Sequence, residues 1–201
     1  NAANDQPVAI KYLIEARKTG TQTVCVNAYR EPGMERYWVP SSAGSAVFGT
    51  DLVDDLHLVP VGSDLAFINA TLKVLIEREW VSKDFIESAT LGYEELVASL
   101  AEQPMEELLT ACAQSLADVE RFAERLHNSP RAVLVWSMGI TQHVHGADTV
   151  RAIANLALTQ EYVGRKGCGL MPIRGHSGVQ GGAEMGAYAN VLPGGIATDA
   201  A

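Results

Sequence analysis

Arg131-Ala132-Val133-Leu134-Val135-Trp136 is an apolar run behind a single arginine, closed by Ser137-Met138-Gly139. It has the length of a strand, and a run without polar alternation predicts a strand buried on both faces, as in a parallel sheet. Downstream, from about Asp148 to Gln160, Val150, Ile153, Ala154 and Leu158 recur at helical spacing. Upstream, a strand is predicted at His57 to Val61, passing through Gly62 and Ser63 into a helix with Leu65, Ile68, Leu72 and Ile76 on one stripe. Further back, a helix from about Pro7 to Lys18, with proline in its first turn and Gly20 as terminator, runs into a short strand at Thr23 to Val26. Strands alternating with helices predict an α/β fold on an open, mostly parallel sheet flanked by helices. The opening helix and strand form the second half of a βαβ unit, so its first strand is expected before residue 1.

Three stretches depart from this alternation. Arg30 to Thr50 reads as loop, with Pro32, Gly33, Pro40, Gly44 and Gly49. About 81–127 reads as a helical insertion of three or four amphipathic helices, with starts at Ser82, Pro104 and Ala117 to Asp118. After Tyr162, ten of the 18 glycines fall between Gly164 and Gly195, which predicts an irregular, glycine-rich C-terminal segment. Glycine lets backbone N–H groups come close to a ligand, and Arg174, His176 and Gln180 are interleaved with Gly175, Gly178, Gly181 and Gly182.

With 15 Lys and Arg against 24 Asp and Glu, the net charge is −9. That excludes the basic footprint a general nucleic-acid binder or an anionic-membrane binder needs. The acid is concentrated: residues 81 to 127 hold ten Asp and Glu against three Lys and Arg, and read as a solvated face. Residues 128 to 182 hold five Lys and Arg against two acids, so an anionic ligand is expected there. Cys25, Cys112 and Cys168 form no C-x-x-C and leave one over after any pairing, which points to a reduced, cytoplasmic setting. No apolar run approaches the ~18 residues of a membrane span, so no membrane insertion is expected. Charged residues amount to 19%, below the ~25% of an average domain, so part of the surface is expected to be covered by other polypeptide.

In an open parallel sheet, ligands bind at the carboxyl ends of the strands, where helix N-termini offer free N–H groups. Asn27, Gly62 to Asp64 and Ser137 to Gly139 hold such positions. Asp64 has two readings: a helix cap, or a carboxylate that accepts the N1–H and 2-amino donors of a guanine while Gly62 and its neighbours hold a diphosphate. Arg174 is either a surface charge or a bidentate grip on an oxyanion. His143 and His145, with His176 and Cys168 elsewhere, lack the spacing of a metal site and are expected to serve as hydrogen-bonding groups. No G-x-S-x-G, Walker A or intact G-x-G-x-x-G supports a hydrolase, an NTPase or an ordinary NAD enzyme.

Taken in order, the motifs Met138-Gly139-Ile140-Thr141-Gln142-His143, Val163-Gly164-Arg165-Lys166-Gly167-Cys168-Gly169, Pro172-Ile173-Arg174-Gly175-His176-Ser177-Gly178-Val179-Gln180-Gly181 and Met185-Gly186 resemble the molybdopterin oxidoreductases, most closely the formate-dehydrogenase-type branch. Asn1-Ala2-Ala3 through Pro7 is similar to that family's G-x-N-P-A loop, Val26 to Arg30 to its strand-end Asp or Asn and Arg, and Gly62-Ser63-Asp64 to its guanine-reading turn. His176, Ser177 and Gly178 stand at its variable positions, so the resemblance leaves the substrate open.

The resemblance implies a Rossmann-like, molybdopterin guanine dinucleotide-binding domain over 1–173, followed by a glycine-rich segment over 174–201 leading into a neighbouring domain. Asn1, Asn27, Arg30, Gly62, Ser63 and Asp64 would grip the dinucleotide, while Met138, Gly139, Gln142, Gly175 and Gln180 would lie toward pterin and metal. Arg174 would orient the substrate, with His176 beside it. Molybdenum or tungsten would be chelated by the pterins, a 4Fe-4S cluster would lie outside this chain, and no residue here would ligate a metal. The implied partners are the remaining domains of the parent polypeptide, an electron-transfer partner and a small-molecule substrate. As an excised fragment the chain is expected to be inactive and to hold no cofactor by itself. A second reading is a free-standing, non-catalytic nucleotide-binding module on the same scaffold; it leaves the glycine-rich segment unexplained.

Overall fold

The computed structural model describes residues 6–39, 42–176, 178–187, 191–192 and 196–198. Asn1 and Ser177 lie outside them. The chain divides into two compact units, Asn1–Trp80 with Gly92–Arg125, and Val81–Leu91 with Leu126–Ala201. Among the described residues each contains one parallel two-stranded ladder and one antiparallel pair among helices, an α/β arrangement in separate ladders rather than in the expected single open sheet.

In the first unit, helix α1 (Pro7–Lys18) opens with proline, places Arg17 and Lys18 in its last turn, and gives way at Gly20, whose φ of +92° suits glycine. Strand β1 (Val24–Asn27) follows. Arg17 grips Asp54 through both guanidinium branches, and Asp54 also accepts the Thr23 N–H at 2.6 Å, tying α1 to the start of β1. The stretch expected to be loop holds short helices α2 (Pro32–Glu35) and α3 (Ala43–Phe48) and an antiparallel hairpin of β2 (Arg36–Tyr37) and β3 (Thr50–Asp51). Ser45 organises it, its Oγ accepting from the Val39 N–H at 3.0 Å and from Thr50 Oγ1 at 2.8 Å. Turn-forming composition masked this fold because hydroxyl contacts between residues distant along the segment, rather than local propensity, hold it.

Strand β4 (Asp55–Leu58) pairs parallel to β1, starting two residues and ending three residues before the predicted His57 to Val61. Pro60 has no N–H to give a ladder, so pairing ends with the Val59 N–H on the Asn27 carbonyl at 2.9 Å. Helix α4 (Asp64–Glu77) buries Phe67, Ile68, Ala70, Thr71, Leu72, Val74 and Leu75, a broader face than the expected stripe. It packs against α7 (Met105–Cys112), with α6 (Tyr93–Ala101) alongside, where Lys73 Nζ donates to the Leu100 carbonyl at 2.8 Å. Helix α8 (Leu116–His127) brings Phe122 to Phe67, with ring centres 5.1 Å apart.

His57 lies between those two rings, 5.2 Å from Phe67 and 5.3 Å from Phe122, and is 1% exposed. Among the described residues neither ring nitrogen has a hydrogen-bond partner. Gln114 is occupied elsewhere, its Nε2 donating to the Leu58 carbonyl at 2.6 Å. The Asp55 carboxylate, 3.4 Å from His57 Nε2, is held by Arg121 at 3.1 Å and Arg125 at 3.7 Å. Burial pushes the His57 pKa below its ordinary value of 6.5, outweighing the pull of Asp55 toward the charged form.

In the second unit, β5 (Val133–Trp136) pairs parallel to β6 (Gly169–Pro172), with Val135 opposite Met171. The expectation of burial on both faces is corrected here: Val133, Val135 and Met171, on one face of the ladder, are 46%, 50% and 48% exposed. The opposite side chains, Leu134, Trp136 and Leu170, are half-buried. Strand β6 sits in the segment expected to lack regular structure, and its glycine and proline hid it, although Gly169 and Ile173 donate to the Ala132 and Trp136 carbonyls at 3.1 and 2.8 Å. Helix α10 (Gly146–Thr159) packs on β6, on α5 (Lys83–Ala89) and on the short α9 (Met138–Thr141). Tyr162, 1% exposed, donates its hydroxyl to the Leu126 carbonyl at 2.6 Å, and burial pushes its pKa to about 12. Short α11 (Val179–Glu184) and the pair β7 (Val191–Leu192) and β8 (Ile196–Ala197) complete the unit.

Candidate functional site

In the first unit, parallel pairing sets Asn27 opposite Leu58, so both strands leave the ladder at the same edge. This is the carboxyl edge, where an open α/β sheet binds ligands. Asn27 Oδ1 accepts the Ala28 N–H at 2.8 Å, which leaves the side-chain NH2 as its donor. From β4 the chain turns through Val61 and Gly62, closed by the Ser63 N–H on the Pro60 carbonyl at 3.0 Å. Gly62 has φ of +85°, a conformation in which a Cβ would be strained. Ser63 stands at the N-cap of α4 without a side-chain capping bond, and half-buried Asp64 is its first residue. Asn27, Gly62, Ser63 and Asp64 thus gather at one sheet edge beside the positive end of a 14-residue helix. Arg30, exposed beyond β1, is paired with Glu35.

In the second unit the C-terminal ends of β5 and β6 also lie side by side. Ser137 Oγ donates to the Ile173 carbonyl at 2.7 Å, pinning the start of α9 to the segment that carries Arg174. Met138 packs against Gly175 so closely that a Cβ there would meet its Cε at 2.8 Å and Sδ at 2.9 Å. Gln142 Nε2 approaches the same sulfur at 3.5 Å. Arg174 Nη2 donates to Gln180 Oε1 at 2.8 Å, and Gln180 Nε2 to Glu184 Oε1 at 2.8 Å. Met138, Gln142 and Gly175 therefore form one contact group, and Arg174 and Gln180 another, joined through the peptide bond between Arg174 and Gly175. Gly139 faces open space, and His176, exposed, accepts the Val179 N–H on its carbonyl at 3.2 Å.

Ser137 belongs to the strand-end positions at which the sequence predicts ligand contact, whereas Glu184 does not. Ser137 was visible as a strand-end hydroxyl; Glu184 would have been visible only if the glycine-rich segment had been read as helical, with Gln180 one turn before it. Among the described residues, no three or more His, Cys, Asp or Glu side chains are grouped to hold a metal ion, and no helix is long and apolar enough to cross a membrane.

A sequence model of a family described as molybdopterin oxidoreductase matches residues 20–200. The alpha subunit of an F420-dependent formate dehydrogenase from Methanocaldococcus jannaschii is 36% identical over 194 residues, covering 96% of this chain and 26% of that protein. An uncharacterized oxidoreductase of Mycobacterium tuberculosis is 28% identical over 195 residues, covering 94% of this chain and 25% of its own length. Among solved structures, acetylene hydratase from Pelobacter acetylenicus superposes with a TM-score of 0.67 at 17% identity, over 79% of this chain and 20% of that one; at that identity the likeness is one of fold. The chain spans about a quarter of the length of the curated relatives it matches.

Proposed function

Since the chain belongs to the molybdopterin oxidoreductase family, we propose that it is the part of a formate-dehydrogenase-like enzyme that holds one molybdopterin guanine dinucleotide and supplies Arg174 to bind the substrate. The observation that carries this reading is the gathering of Asn27, Gly62, Ser63 and Asp64 where β1 and β4 end. Residues 1–173 form the dinucleotide-binding part in this reading, and 174–201 lead onward.

The donor set suits the group. An Asn NH2, a positive-φ glycine that lets backbone come close and the positive end of a long helix favour a diphosphate, while a carboxylate in the first helical turn offers two acceptors to the N1–H and 2-amino donors of guanine. Arg30 and Asn1 are assigned to the same dinucleotide grip, Arg30 reaching it by leaving its pairing with Glu35. On the pterin side, Met138, Gly139, Gln142, Gly175 and Gln180 supply a thioether, two amides and two glycines without a competing metal ligand. Arg174 presents planar N–H donors to a carboxylate, with His176 two residues on. When bound, a molybdenum or tungsten group would supply the two-electron acceptor needed for formate to become carbon dioxide and a proton. A 4Fe-4S cluster and an electron acceptor would be supplied by polypeptide outside residues 1–201.

Thermal shift of the 201-residue chain tests the dinucleotide half. GDP is expected to raise the Tm more than ADP, and Asp64→Asn, which turns one acceptor into a donor, is expected to erase that difference; equal shifts in the unaltered protein overturn the assignment. The substrate half is tested in the intact molybdenum-loaded enzyme, where Arg174→Lys should raise the KM for formate.

A further inference from the structure

The hydrogen bonds leading away from Arg174 run in one sense. Its Nη2 donates to Gln180 Oε1 at 2.8 Å, and Gln180 Nε2 donates to Glu184 Oε1 at 2.8 Å. A guanidinium has only donors and a carboxylate only acceptors, so the amide between them has one orientation: oxygen toward the arginine, NH2 toward the glutamate. Gln180 and Glu184 are four residues apart on α11, the spacing at which helical side chains meet. Among the described residues Arg174 makes no other hydrogen bond through its remaining N–H donors.

We propose that Glu184 is a positioning residue for substrate: it holds Gln180, and through Gln180 holds Arg174, in the orientation that offers those remaining donors to a small carboxylate. The proposal rests on the assignment of Arg174 as the substrate-binding group. A carboxylate placed directly on Arg174 would pair off the charge the substrate needs. Setting it one amide further back anchors the guanidinium while leaving that charge available, and the negative oxygen behind the amide strengthens its acceptor end. Glu184→Gln removes the acceptor-only partner, so of the two constraints that turn the Gln180 oxygen to the arginine only the guanidinium's own donors remain. Glu184→Asp keeps both, because a Gln–Asp pair at this spacing also hydrogen-bonds on a helix.

In the intact molybdenum-loaded enzyme, Glu184→Gln is expected to raise the KM for formate about five- to tenfold with kcat changed less than about twofold, the signature of lost substrate binding. Glu184→Asp should restore most of the affinity. In the 201-residue chain, followed by nitrogen–proton NMR, the Gln180 side-chain NH2 signals should move and exchange faster with water in Glu184→Gln and stay near their original place in Glu184→Asp. Arg174→Lys separates the failures. A raised KM in Arg174→Lys with an unchanged KM in Glu184→Gln overturns the positioning role and leaves the assignment of Arg174 standing; an unchanged KM in Arg174→Lys overturns both. A fall in kcat at constant KM in Glu184→Gln, or a Gln180 signal that does not move, also overturns the positioning role.

Discussion

Replacing His57 by leucine should remove an acid-sensitive weakness from the first unit without weakening it at alkaline pH. The ring is 1% exposed, and among the described residues both of its nitrogens lack hydrogen-bond partners. Two unsatisfied polar atoms cost about 1–3 kcal/mol each, whereas the two ring contacts to Phe67 and Phe122 contribute about 0.5–1.5 kcal/mol each beyond area burial. Leucine has similar bulk and no polar atoms, so at pH 8 the variant should be at least as stable as the parent. Asp55 keeps Arg121 and Arg125 as partners after the change. The pH dependence is the sharper readout. Because the folded-state pKa of His57 lies below 6.5, its stabilising neutral form is fully present above 6.5 and its contribution is lost as pH falls below that value. One proton taken up on unfolding gives a slope approaching about 1.4 kcal/mol per pH unit. The depressed carboxylates Asp54, Asp55 and Asp118 act in a separate window, contributing above 3.8 and failing below it. Urea unfolding of the Trp136→Phe background, read through Trp38 and Trp80, should therefore show stability falling from pH 7 to 5 with His57 present and a flatter profile with leucine. Parallel losses in the two proteins over that range would refute the reasoning.

Phe67→Ala should destabilise the first unit by about 3–5 kcal/mol, since it opens a cavity beside Phe122 and His57 in a fully buried site; urea midpoints measure it. Gly62→Ala should cost about 1–2 kcal/mol through its positive φ and reduce the GDP-induced rise in Tm by distorting the turn, seen in the same thermal-shift assay. Tyr162→Phe should cost about 1 kcal/mol for the lost bond to the Leu126 carbonyl. The unaltered tyrosine, with its pKa at about 12, should contribute stability that is complete below pH 10 and fades as pH rises toward 12, which ultraviolet titration of the phenolate follows. Gly175→Ala should displace the Met138 thioether, because the new methyl would lie 2.8 Å from its flexible end; a shifted Met138 methyl resonance with little loss of stability is the expected result.

How much of this was legible in the chain depends on the range of the interactions involved. Helix α1 reads to the residue because its signals, Pro7, the apolar positions and Gly20, are all local. The edge carrying Asn27 and Gly62 to Asp64 was also readable, since strand, glycine and helix follow one another directly. Strand β4 starts two residues and ends three residues before the predicted strand because its end is set by pairing to β1 and by Pro60, and hydropathy registers neither. Strand β6 was missed because Gly169 and Pro172 argue against a strand, yet the β5 backbone groups next to them satisfy their bonds. The same logic hid Glu184. Its helix, Val-Gln-Gly-Gly-Ala-Glu, contains two glycines that each cost about 1 kcal/mol relative to alanine, so propensity gives no reason to expect a turn that sets Gln180 and Glu184 side by side. Backbone bonds close the turn, the Gly182 N–H on the Gly178 carbonyl and the Met185 N–H on the Gly181 carbonyl, both at 2.9 Å. The side-chain bonds from Gln180 to Arg174 and Glu184 are added to these, so a turn that propensity does not announce sets side by side the residues proposed to aim the arginine.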